Sequence, residues 1–110
     1  MRAFIEGKVV NYSTVNELAR KVIFDKMYEE GSTSMTDYLE GWVVTMDEID
    51  SENGEDFTPY TIDSVLPIAL GTIENEVGSI EGNTILVGKS PEGFYEALKS
   101  VINEMRLAEA

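Results

Sequence analysis

The stretch Met35-Thr36-Asp37-Tyr38-Leu39-Glu40-Gly41-Trp42-Val43-Val44-Thr45-Met46 admits two secondary structures, and the choice between them decides the fold. Met35, Tyr38, Leu39, Trp42, Val43 and Met46 recur at i, i+3, i+4, i+7, i+8 and i+11, the apolar stripe of an amphipathic helix. Gly41 interrupts that stripe, and Trp42-Val43-Val44-Thr45 is a run of good strand formers. Downstream, Asn53-Gly54 is a strong hairpin signal. It would pair Trp42–Ile49 with Phe57–Ile62, with Pro59 confining the second strand to a sheet edge. We favour the helix, ending near Asp47, and keep a hairpin over 42–62 as the alternative.

Toward the N-terminus, Ala3–Val10 is short and rich in β-formers and reads as a strand. Thr14-Val15-Asn16-Glu17 matches a capping box, and Val15, Leu18, Ala19, Val22, Ile23 and Met27 follow at helical spacing up to Gly31. Toward the C-terminus, Ile62, Val65, Leu66, Ala69, Leu70, Ile73 and Val77 mark a third helix, with Pro67 near its first turn and Gly78 closing it. Asn83–Val87 reads as a second strand. Ser90-Pro91-Glu92 opens a last helix whose buried stripe is Phe94, Leu98, Val101, Ile102 and Met105. The expected fold class is α+β: a single small domain over residues 1–110, with about four helices and a two-stranded sheet.

Charge is sorted along the chain. Met27 to Gly88 contains no Lys or Arg and 14 Asp or Glu, while the flanks hold all eight basic residues. The net charge of −13 is therefore a middle segment of −14 between ends that sum to +1. With 43% apolar residues at periodic positions, the chain folds in spite of this acidity. It has no Cys and no His, which excludes disulfides, thiolate chemistry, Cys-ligated metals and any His-centred triad. The N-terminus does not read as a signal peptide, and no apolar run reaches the ~20 residues of a membrane span. A cytoplasmic location follows as an expectation. Direct binding to nucleic acid or to an anionic membrane is disfavoured by charge.

Specific chemistry is sparse. The cluster Asp47–Asp56 carries six carboxylates in ten residues and reads as a loop. Setting Gly54 at the sixth position of a calcium loop places Ile49 at the first, where an Asp is required, so no dedicated metal site is expected. Gly88-Lys89-Ser90 resembles the end of a phosphate loop, but the upstream Gly of that motif falls on Asn83, and we read an ordinary helix cap. We expect no catalytic residues, no cofactor and no enzyme activity.

The acidic middle carries the functional reading. If Met35–Met46 is helical, Asp37, Glu40 and Glu48 lie on its solvated side, with Glu29 and Glu30 before it and Asp47, Glu48, Asp50, Glu52, Glu55 and Asp56 after it. We expect these residues to contact a basic protein surface, with Tyr60 exposed beside them as an aromatic anchor and Phe57 supporting it. Tyr38 and Trp42 are expected to pack in the core. In size and charge the chain is similar to compact acidic anti-defence proteins of phages and mobile elements, which implies an inhibitor that occupies a nucleic-acid-binding groove as a DNA mimic. The alternative is an assembly subunit of a homo-oligomer or virion, whose acidic face serves solubility and whose apolar surface associates, a homodimer being the simplest form.

Overall fold

The computed structural model describes all residues except 53 and 55–57. Eight elements follow in the order β1 (Arg2–Ile5), β2 (Lys8–Asn11), α1 (Val15–Glu30), α2 (Met35–Glu52), α3 (Ile62–Asn75), β3 (Val77–Glu81), β4 (Thr84–Leu86) and α4 (Phe94–Ala108). Among the described residues, the fold is α+β, with four helices and a sheet of four antiparallel strands in the order β2-β1-β3-β4.

The decisive stretch is helical. α2 runs eighteen residues to Glu52, past the expected end near Asp47, and Trp42–Ile49 is not a strand. Thr58–Thr61 is not a strand either, so no hairpin forms over 42–62; Asn53 and Phe57 lie outside the described residues. At the start of α2, the amides of Met35, Thr36 and Asp37 all have acceptors. Ser34 Oγ accepts from the Asp37 N–H at 3.1 Å, and the Glu109 carboxylate accepts from Met35 and Thr36 at 2.8 and 2.9 Å.

The sheet has twice the expected number of strands, for two reasons of turn chemistry. Ala3–Val10 is broken into two strands by Glu6 and Gly7, whose φ values of 49° and 79° make the mirror-image turn that matches strand twist. Val77 and Gly78 do not finish α3 but open β3, which pairs with β1 and turns back at Gly82-Asn83 into β4. Gly78 has no room for a side chain: a Cβ there would sit 2.8 Å from the Leu86 carbonyl oxygen. Pro67 lies in the sixth position of α3, beyond the first turn, so the Asp63 carbonyl loses its helical donor. α4 starts at Phe94 rather than at Ser90-Pro91-Glu92, with Gly93 at its cap position in the left-handed region.

α1 packs along α4, and α2 along α3. One face of the sheet, with Ala3, Ile5, Val10 and Val77, closes the core that these helices build around Leu18, Ile23, Leu39, Leu70, Phe94, Leu98 and Ile102. Strand alternation puts Arg2, Phe4, Val9, Asn11, Gly78, Ile80 and Ile85 on the other face. Val9 and Ile85 there are about half exposed, and no carboxylate occupies any of these positions.

The domain is elongated, 47 × 33 × 22 Å, with a radius of gyration of 15.1 Å against about 13 Å for a compact chain of this length. α2 contributes to the elongation. Its fully buried residues, Met35, Tyr38 and Leu39, all lie in its first five positions. From Val43 onward the helix has no buried residue, and only Val43, Met46, Asp47 and Asp50 remain partly covered; this more exposed C-terminal stretch forms an arm.

Candidate interface for a cationic partner

α2 is where the acidic residues gather, two near its root and four on the arm. Asp37, Glu40, Asp47, Glu48, Asp50 and Glu52 all belong to α2, so Asp47 to Glu52 are helical and not part of a loop. At about 100° per residue, Asp37 and Glu48 point away from the core, Glu40 and Asp47 share one flank, and Glu52 lies toward the other. The charges thus wrap the free part of the helix instead of forming one stripe. Glu55 and Asp56 lie outside the described residues.

Most of these carboxylates have no basic partner. Lys26 ties together Glu6, Glu29 and Glu76, Arg106 meets Asp63 at 3.3 Å, and Arg20 meets Glu104. Among the described residues, none of Glu30, Asp37, Glu40, Asp47, Glu48, Asp50 and Glu52 has a Lys or Arg in ion-pair contact. The basic flanks therefore neutralise Glu29, Asp63 and Glu76 and leave the arm free.

The helix ends add to this. α1 finishes with Glu29 and Glu30, α2 with Asp50 and Glu52, α3 with Glu74, and none of the three has a basic residue in its last turn. A helix C-terminus carries the negative end of the dipole, so an anion there costs a few tenths of a kcal/mol up to about 1 kcal/mol. Local stability does not account for this placement.

Two predicted site residues are used internally. The Asp47 carboxylate is half-buried and accepts the Tyr60 N–H at 2.9 Å, which fastens the arm to the segment entering α3. Tyr60 itself is half-buried rather than exposed. Asp37 accepts a hydrogen bond from the Thr33 hydroxyl at 2.8 Å, but its carboxylate remains exposed.

Sequence reasoning missed a cavity of about 510 Å³ between the C-terminal ends of α1 and α3 and the middle of α2. Its lining brings together Tyr38, Gly41 and Trp42 of α2 with the carboxylates of Glu29, Glu30, Asp37 and Glu76 and the ammonium of Lys26. Burial disfavours the charged form of Lys26, but its carboxylate partners Glu76, Glu29 and Glu6 outweigh this and hold its pKa above the ordinary 10.5. Burial pushes the Tyr38 hydroxyl up, against the opposing effects of Trp42 and Lys26, so it stays protonated at neutral pH. Trp42 was expected in the core; it packs against the core with one side and lines the cavity with the other. The available signal was Gly41, a glycine in mid-helix with no turn to make.

Among the described residues, no three carboxylates converge to hold a metal ion, and no helix is long and apolar enough to cross a membrane. No family model, no curated protein and no solved structure matches the chain.

Proposed function

We propose that the protein is a non-enzymatic inhibitor that binds a basic protein surface otherwise used to hold nucleic acid, in the manner of a DNA mimic. The observation that carries this reading is the unneutralised acidic arm. From Asp37 to Glu52, α2 rises about 22 Å and bears six carboxylates, about one per 4 Å. A strand of B-form DNA carries one phosphate per about 3.4 Å of helix axis. An Arg- and Lys-lined groove would meet the exposed members of this set, Asp37, Glu40, Glu48 and Glu52, a sparser array of the same sign. Long-range attraction between surfaces of opposite sign speeds encounter and weakens as salt rises. The phage or mobile-element origin and cytoplasmic site of action suggested by size and charge belong to this proposal.

The test is capture from a candidate host lysate on the immobilised chain, with washes at moderate and then high salt. A nucleic-acid-binding protein is expected to be retained, to be released by duplex DNA, and to be lost when Glu40, Glu48, Asp50 and Glu52 are changed to Lys. Asp47 is left unchanged because it holds Tyr60. Retention by the fourfold variant equal to that of the parent chain overturns the mimicry.

A second reading, an assembly subunit, is favoured by the outer sheet face, where apolar side chains lie exposed on a surface without carboxylates. It predicts self-association that strengthens as salt screens the repulsion between copies, readable by sedimentation at two salt concentrations.

A further inference from the structure

We infer that the cavity beside Trp42 is a socket for an arginine side chain of the basic partner, the point at which the acidic surface becomes a specific interface. This rests on the proposed binding to a basic surface and names where one cation would be held. Three observations, different in kind, converge on it.

The first is shape. A volume of about 510 Å³ is within the range of small-ligand pockets, the cavity is open to solvent, and the exposed residues Glu30 and Asp37 are among its lining. The second is chemistry. An indole and a phenol belong to the lining, and four carboxylates, Glu29, Glu30, Asp37 and Glu76, outnumber the single ammonium of Lys26. Lys26 is engaged by Glu6, Glu29 and Glu76, which leaves Glu30 and Asp37 without a cation. A planar guanidinium is the cation suited to a lining that offers both an indole and unpaired carboxylates, since Arg makes stacked and forked contacts more often than Lys.

The third is Gly41. It sits in the interior of α2 with ordinary helical backbone, and a Cβ built on it meets nothing within 4 Å. Neither a turn nor a close backbone approach calls for glycine at this position, and glycine weakens a helix relative to alanine. Gly71 in α3 is equally unconstrained, but of the two only Gly41 lines the cavity, where a larger side chain would enter its open space.

The protein has one tryptophan, so its emission reports the socket directly. The probe is the capped tripeptide acetyl-Gly-Arg-Gly-amide, titrated at low salt against its Lys counterpart and against octa-arginine, with amide resonances followed in parallel. The Arg tripeptide is expected to change Trp42 emission saturably, with a Kd on the order of 1 mM, and to bind severalfold more tightly than the Lys tripeptide. Glu30→Gln and Asp37→Asn should each weaken it about two- to fivefold. Gly41→Leu should abolish the response while Tm holds or rises, since the new side chain enters free space and improves helix propensity.

If octa-arginine shifts the resonances of Glu48 to Glu52 while the Arg tripeptide leaves Trp42 unmoved, the socket is overturned and the acidic arm stands. Equal response to the Arg and Lys tripeptides, or full binding by Gly41→Leu, also overturns the socket. If no peptide shifts any resonance at low salt, the acidic-surface reading falls with it.

Discussion

The carboxylate of Glu109 grips Thr36 twice, with one oxygen, Oε1, accepting the Thr36 backbone N–H at 2.9 Å and its hydroxyl at 2.8 Å. The second oxygen accepts the Met35 N–H at 2.8 Å, so the last turn of α4 caps the first turn of α2 across 73 residues of sequence. Backbone and hydroxyl donors from Thr36, and then the Met35 amide, hold the Glu109 pKa below its ordinary 4.5. A depressed folded-state value means that this contribution to stability is present above pH 4.5 and is lost as pH falls through the folded-state pKa. Glu109→Gln is expected to cost about 1 kcal/mol at pH 7, as loss of a helix cap does. In urea melts, the gap between parent and variant should close as the pH is taken below 4.5.

Leu39 and Ile49 are ten residues apart on one helix and should respond in opposite ways. Leu39 is fully buried, whereas Ile49 is 44% exposed on the arm. Leu39→Ala should cost about 2–5 kcal/mol through the cavity it leaves. Ile49→Ser should change stability by less than about 0.5 kcal/mol. Comparable losses from the two would mean that the arm is packed as firmly as the root of α2.

Asp47 separates charge from architecture. Asp47→Ala removes the acceptor for the Tyr60 N–H and should lower stability by about 1 kcal/mol, whereas Glu48→Ala, which has no such bond, should be close to neutral. Amide exchange should quicken at Tyr60 in the first variant only.

Lys26 holds the β1–β2 turn, α1 and the C-cap of α3 together through Glu6, Glu29 and Glu76, with its side chain only 17% exposed. Lys26→Met should cost on the order of 1 kcal/mol at low salt, with high salt reducing the difference. The folded-state pKa is raised, so the stabilisation is complete below pH 10.5 and fades as pH climbs through that higher value. Thermal melts of parent and variant should therefore converge at strongly alkaline pH.

Much of this fold is legible from local chemistry. Thr14 caps α1 by accepting the Glu17 N–H at 3.1 Å, and Gly31 ends it in the left-handed region, with Ser32 N–H reaching back to the Met27 carbonyl as that cap requires. The six-residue apolar period of α2 outweighs its β-prone centre because Tyr38 and Leu39 meet the core only when helical. The strands were harder to read. Glu6-Gly7 lacks the usual Asn or Asp of a tight hairpin, and Gly78 looks like a helix stop until the chain crossing it at Leu86 is known. The charge imbalance of the site was plain in the sequence, but its division was not. Nothing in the order of residues tells that Asp47 faces a backbone amide, or that Trp42 and Gly41 share a cavity with Lys26.

The carboxylate-free sheet face has a consequence for handling the protein. Above its isoelectric point, mutual repulsion between anionic molecules keeps Val9 and Ile85 of one away from those of the next. Titrated toward pH 4.1, that colloidal barrier disappears and the same two strands offer apolar patches with unpaired edges beside them. Precipitation should begin there, at the sheet, well before the helices melt.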